Sequence, residues 1–258
     1  MDLGLRNKVV IVTGGASGIG KGILLGLIEE GAVPCILDRN DTSINSCIYE
    51  LGELGQKVIA FNMELTDEKS CKNVIKDIIR IKGKIDGLIN NAGTNDGVGL
   101  EHGSLPKFFN SLENNVGHYH LMAKTCLPFL KKSKGSIINI VSKTYTTGQG
   151  GTSGYAAANG ARVSLTEEWG HELRGYEIST YAIVVAECWT PQYKSWISKR
   201  ENPEKILRTI NSRIPMENRM TTTTELADMT LFLLSKKSGI ISGQTIFVDG
   251  GYVHLDRK

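Results

Sequence analysis

The sequence predicts an α/β fold: a single doubly wound domain whose seven-stranded, mostly parallel sheet carries helices on both faces. Short apolar, β-branched runs alternate with helix-length amphipathic segments from end to end. Those runs are apolar throughout rather than alternating, as strands buried on both faces must be. No Gly/Ser-rich linker, repeat or low-complexity tract divides the 258 residues.

Taken in order, Lys8–Thr13 is the first strand and Gly18–Gly31 a helix, with Ile23, Leu24, Leu27 and Ile28 at helical spacing. Val33–Asp38 is a strand, Asp41–Leu54 a helix and Lys57–Asn62 the third strand. Asp67–Ile81 reads as helix, Ile85–Asn90 as strand, and Leu105–Lys131 as one long helix. Ser136–Ser142 is a strand, Ser153–Arg174 a helix and Ile178–Val185 the sixth strand. After a less regular stretch at 186–219, Thr224–Leu234 is helical and Thr245–Val248 closes the sheet.

Composition removes several classes of function. With 40% hydrophobic and 22% charged residues the chain is ordinary globular protein. Thirty Lys and Arg against 27 Asp and Glu give a formal charge of +3, which favours neither nucleic acid nor an anionic membrane. No run reaches the ~18–20 apolar residues of a membrane span, and Met1–Lys8 has no apolar core of a secretory signal, so a cytoplasmic protein is expected. Cys35, Cys47, Cys71, Cys126 and Cys188 are scattered and odd in number, which suits buried free thiols. His118 and His120, two apart on a helix, point different ways, and no metal site is expected.

The chemistry begins where the first strand runs into Thr13-Gly14-Gly15-Ala16-Ser17-Gly18-Ile19-Gly20 and a helix. Glycines permit the tight turn and let backbone approach a pyrophosphate, while the helix N-terminus offers free N–H groups to it. Asp38, 18 residues after Gly20, ends the second strand where an acid accepts hydrogen bonds from a ribose. Its charge repels a 2′-phosphate, so NAD is expected over NADP, with Arg39 the residue that could reverse this preference.

These residues resemble the short-chain dehydrogenase/reductase family over essentially the whole chain. TGGASGIG at 13–20 matches the cofactor loop of that Rossmann fold, and Asn90-Asn91-Ala92-Gly93 matches its NNAG motif. Asn115 falls where the family's catalytic Asn interrupts a helix. Ser142 stands 13 residues before Tyr155, the family's spacing, and Thr190-Pro191 sits where a Thr meets the nicotinamide carboxamide. More narrowly the chain is similar to the L-fucose dehydrogenase-like branch, through Thr94–Gly97, Ser142–Thr144, Gly148–Gly150, Ala186-Glu187 and the ending Phe247–Tyr252 with His254–Arg257. The resemblance implies a cofactor-binding part over 1–145 and a catalytic and substrate-binding part over 94–258. It also implies a homo-oligomer, tetramer or dimer, and a small-molecule substrate, a sugar or polyol. Reduction of an acyl-carrier or lipid carbonyl on the same scaffold is the alternative.

In such enzymes Tyr155 would be the acid/base, Ser142 would hold the substrate oxygen, and Asn115 would belong to the proton relay. The Ser17, Gly18 and Ile19 turn with Gly14 and Gly20, then Asp38, Glu64, Leu65, Asn91, Ala92, Gly93 and Thr190, would line the cofactor. The family's next requirement is a Lys four residues after Tyr. A free tyrosine has a pKa of about 10, and a cation ~4 Å away at an effective dielectric near 20 supplies the ~4 kcal/mol needed for work near neutrality. Here that position is Asn159. An amide carries no charge, although it could hydrogen-bond a ribose hydroxyl or hold a water. Three explanations compete: an alkaline-shifted enzyme, a second cation (Lys143, beside Ser142), or a dinucleotide-binding protein without turnover. Under the first, Asn159→Lys should raise activity at neutral pH.

Weaker signals have plain alternatives. Glu64 could reach the adenine amino group or be solvated. Asn95 and Asp96 suit sugar hydroxyls or form a simple turn. Gln149, Glu187 and Trp189 lie where the substrate would sit, and Trp189, Tyr193 and Trp196 could stack on a sugar's C–H face or pack a helix. Lys194, Lys199, Arg200 and Lys205 form a solvated face, with no nucleic-acid motif among them.

Overall fold

The computed structural model describes residues 1–255; Asp256 and Arg257, which carry part of the resemblance, lie outside the described residues. One seven-stranded sheet has the order β3-β2-β1-β4-β5-β6-β7, every pair parallel. Its strands are β1 (Val9–Thr13), β2 (Val33–Asp38), β3 (Ile59–Asn62), β4 (Gly87–Asn90), β5 (Ser136–Ser142), β6 (Ser179–Val185) and β7 (Gln244–Val248).

The helices are α1 (Gly18–Glu29), α2 (Asp41–Leu51), α3 (Glu68–Lys82), α4 (Leu105–Leu112), α5 (His118–Ser133), α6 (Ser153–Glu172), α7 (Pro191–Ser198), α8 (Pro203–Asn211) and α9 (Thr223–Leu234). Successive strand residues face opposite ways, which divides the core into two layers. Val10, Val12, Ile36 and Ile183 pack under α1, α2 and α9. Val9, Ile11, Cys35 and Leu37 pack under α3, α5 and α6. Both faces being covered explains why the strands read as unbroken apolar runs. All five thiols are free and buried, and burial pushes Cys35 and Cys188 up to about 12 and Cys71 up to about 11. Among the described residues no helix is long and apolar enough to cross a membrane.

Two differences from the sequence reading bear on the site. The single helix that periodicity gives over 105–131 is broken, at the residue where the family resemblance implied an interruption: a π-turn at Glu113–Gly117 separates α4 from α5 and contains the buried Asn115. π-turns widen the i→i−4 ladder, and here the Arg162 side chain meets it, donating Nε to the Asn115 carbonyl at 2.6 Å. The stretch at 186–219 holds two helices of 8 and 9 residues, each opened by a proline. Too short to show two full periods, they escape pattern reading.

Register sets the site. Thr13 pairs Leu37, Asp38 pairs Asn62, Asn90 pairs Asn139 and Ser142 pairs Val185. The carboxyl ends of these strands therefore form one edge, and β1 is where the chain order reverses, from β2–β3 on one side to β4 on the other. Ligands of doubly wound sheets bind in the crevice at such a point.

Candidate active site

The loop from β1 into α1 is built for close approach. Gly14 and Gly18 hold positive φ of 63° and 53°, conformations glycine adopts freely. A Cβ on Gly20 would lie 2.2 Å from the Gly14 carbonyl oxygen. Ser17 precedes α1 without its hydroxyl bonding any helix N–H, and no acidic residue sits in the first turn. The helix therefore presents unclaimed N–H groups and its positive end, a fit for a pyrophosphate. Thr13 braces the loop from below, its hydroxyl accepting from the backbone N–H groups of Asn91 (2.9 Å) and Ala92 (3.1 Å). Asn91 Nδ2 returns bonds to the carbonyls of Thr13 and Gly14. Gly20→Ala is therefore expected to lower NADH affinity at least about tenfold, since overpacking against backbone costs ~1–3 kcal/mol and here falls on the loop itself. Fluorescence titration with NADH checks it; unchanged affinity would remove the loop from the site.

Asp38 lies against the same loop. Its carboxylate accepts from Ala16 N (3.3 Å) and Asn40 N (3.1 Å), which fixes it at the end of β2 where ribose hydroxyls would reach it. Arg39 extends toward Glu64, 3.8 Å away, both exposed, and Glu64 also accepts from Leu65 N at 2.9 Å. Leu65 is buried. Ile19 packs partly buried against the α1 layer. Thr190 caps α7, accepting from Tyr193 N at 3.2 Å, and its methyl lies 3.5 Å from a Cβ placed on Gly18, so it overhangs the β1–α1 loop.

Ser142, Asn159, Tyr155 and Asn115 are tied into one cluster. Ser142 donates its backbone N–H to Asn159 Oδ1 at 2.7 Å, and its hydroxyl accepts from Thr144 N at 3.3 Å. Asn159 Nδ2 donates to the Tyr155 carbonyl at 2.8 Å. The Asn159 side chain is thus consumed in joining β5 to α6, rather than turned out toward a ribose. Asn115 accepts from Thr94 N at 2.8 Å and donates to the Ser111 carbonyl at 3.0 Å, so it anchors the segment after β4.

One residue of the cluster was not singled out from the sequence. Arg162, 3% exposed, donates Nη1 to Asn159 Oδ1 (3.1 Å) and to the Ile140 carbonyl (3.2 Å). Its guanidinium covers the Tyr119 ring at 4.2 Å and stands 6.0 Å from the centre of the Tyr155 ring. A Cβ on Gly93 would lie 2.8 Å from Nη2, so the glycine of the NNAG motif makes room for the arginine. The available signal was spacing: Tyr155, Asn159 and Arg162 at i, i+4 and i+7 share one helix face.

Lys143, considered as a second cation, is engaged elsewhere. Its Nζ contacts Glu187 Oε1, both side chains largely buried, and lies 3.8 Å from the Tyr252 ring centre. Glu187 Oε2 accepts from the Tyr193 hydroxyl at 2.7 Å; burial first, then this carboxylate, push the Tyr193 phenol far up from its ordinary value. Trp189 and Trp196 flank Tyr193 at 6.4 and 5.5 Å between ring centres and are part-exposed. Asn95 and Asp96 are exposed and accept from Gly97 N (3.3 Å) and Val98 N (3.5 Å), the bonds of a turn. Gln149 is exposed in the loop before α6.

Comparison with known proteins agrees with this arrangement. A family model described as short chain dehydrogenase matches residues 8–201. The 3-oxoacyl-[acyl-carrier-protein] reductase FabG of Thermotoga maritima is 32% identical over 250 residues, 96% of this chain and 99% of that protein. The L-fucose dehydrogenase of Bos taurus is 30% identical over 254 residues, 97% and 92% of the two chains. The crystal structure of Cj0485 dehydrogenase, 41% identical, superposes with a TM-score of 0.96 over 100% of this chain and 98% of that one. Loop, crevice and sequence agree: the chain belongs to the short-chain dehydrogenase family of oxidoreductases, which use a nicotinamide cofactor.

Proposed function

We propose that the chain is an NAD-dependent dehydrogenase of a hydroxyl group on a free sugar or related polyol. The observation that carries this reading is the wall beside Ser142: Glu187 bonded by Lys143 and Tyr193, flanked by Trp189 and Trp196. Fixed donors and acceptors next to aromatic faces suit a ring with hydroxyls on its edge and C–H groups on its face. The likeness to an L-fucose dehydrogenase supports it.

Nicotinamide, when bound, supplies the acceptor for the hydride leaving the carbinol carbon. Tyr155 takes the hydroxyl proton as that C–O bond gains double-bond character, and the Ser142 hydroxyl donates a hydrogen bond to the same oxygen. Asp38 accepts from ribose hydroxyls and disfavours a 2′-phosphate. Arg39, the residue that could offset it, is turned to Glu64.

The test is NADH formation with a panel of aldoses, L-fucose and L-galactose included, from about pH 6 to about pH 11, around the ordinary tyrosine value. Turnover of aldoses, faster with NAD⁺ than with NADP⁺, is expected. The likeness to a 3-oxoacyl-[acyl-carrier-protein] reductase motivates a second reading. Silence with every aldose, together with oxidation of a reduced cofactor by 3-oxoacyl thioesters, would replace the sugar assignment with it.

A further inference from the structure

We propose that Arg162 is the positioning residue that stabilises negative charge on the Tyr155 oxygen, with Asn159 as its bracket. The inference rests on the reading of Tyr155 as the proton acceptor. Among the described residues Arg162 pairs with no carboxylate. Its partners are neutral oxygens: the carbonyls of Asn115 and Ile140, and the amide oxygens of Asn159 and Asn115. A buried guanidinium without a counter-ion is expensive. The backbone of Arg162 is fixed as well: Thr166 donates to its carbonyl at 2.8 Å, and Asn139 and Asn90 follow in series across the sheet. A buried cation held by four neutral oxygens suits a site where negative charge develops.

The other groups facing Arg162 and Tyr155 do not supply that charge. His118, from α5, is held down to about 3 by burial and then by Arg162, so it is neutral. Tyr119, also from α5, is pushed up to about 12 by burial and donates to the Ile140 carbonyl. Lys143, from the turn after β5, is neutralised by Glu187. Arginine keeps its charge wherever a protein survives and has no acceptor atom. It can therefore hold a tyrosinate without itself passing the proton on, unlike a lysine.

The experiment compares Arg162→Met with Arg162→Lys in the full chain, using two readouts. The first is the pH profile of NADH formation. Taking the 6.0 Å between the guanidinium and the Tyr155 ring centre as the scale of the separation, and an effective dielectric near 20, losing the cation should slow turnover near pH 7 on the order of a hundredfold. Most of that loss should return toward pH 10, and Arg162→Lys should stay within about tenfold of the parent. The second readout needs no substrate: the near-ultraviolet phenolate absorbance that Tyr155→Phe removes. Its midpoint is expected to rise by about one to two pH units in Arg162→Met. A loss equal at every pH, with the phenolate midpoint unmoved, would overturn the proposal. A shifted phenolate midpoint in a protein that turns over no alcohol would leave Arg162's role standing and remove the dehydrogenase reading instead. If Arg162→Met does not fold, Asn159→Lys/Arg162→Val returns the cation one turn earlier. The loss of the Ser142 anchor lowers its rate at every pH, but the position of its pH profile must then match the parent's, and an alkaline shift in that folded variant would equally defeat the idea.

Discussion

Tyr155→Phe is expected to lower kcat by a factor on the order of a thousand while leaving NADH affinity within about twofold. A positioned general acid/base contributes typically ~10²–10⁴, and two further phenols, those of Tyr119 and Tyr193, are already engaged. Tyr119 points its hydroxyl into the Ile140 carbonyl, and Tyr193 is held by Glu187. Phe keeps the ring and its place beside Arg162, so the fold and the phosphate loop are untouched. Stopped-flow turnover with the best aldose and equilibrium NADH titration give the two numbers. An unchanged kcat would mean that the proton goes to another group. Joint loss of turnover and NADH binding would mean that the ring is structural rather than chemical.

Asn159→Lys made alone is expected to damage the protein, the reverse of what its position after Tyr155 suggests. Asn159 Oδ1 accepts from both Ser142 N and Arg162 Nη1, and the residue is fully buried. A lysine removes that double acceptor and sets a second cation against the first, which pairs with no carboxylate among the described residues. Uncompensated buried charge costs about 3–5 kcal/mol, which for a chain of this size corresponds to a fall of roughly 10 °C in Tm. Activity should drop at every pH, because Ser142 loses its anchor as well. Thermal unfolding followed by circular dichroism, with the pH–rate profile beside it, checks this. A stable, faster Asn159→Lys would show that Arg162 yields easily and that charge next to Tyr155 was simply missing.

These two residues also show where sequence reading stops. The amide at 159 was legible as a missing charge, since one position four residues after a tyrosine suffices to see it. Its replacement was not legible, because Arg162 reaches Asn115, 47 residues away, through a π-turn that helical periodicity smooths over. Lys143 looked the better candidate by adjacency to Ser142. Only the β5–β6 register, which brings Glu187 just beyond the end of its neighbouring strand, shows that its charge is already paired. Asn95 and Asp96 kept both readings in the sequence, and their bonds within the loop are those of a turn.

What the sequence determined by itself was whatever depends on local pattern. The all-apolar strands dictate a sheet covered on both faces, the glycines at 14, 18 and 20 dictate a tight loop ahead of a helix, and the acid at 38 follows at the end of the next strand. What only the tertiary structure decided was which charges meet. The strand order and register bring the ends of β5 and α6 against the π-turn at 113–117, and there a guanidinium and two asparagine side chains, all buried, meet a half-buried tyrosine. Electrostatics in that space depends on distance and burial rather than on order along the chain, and the sequence records only the order.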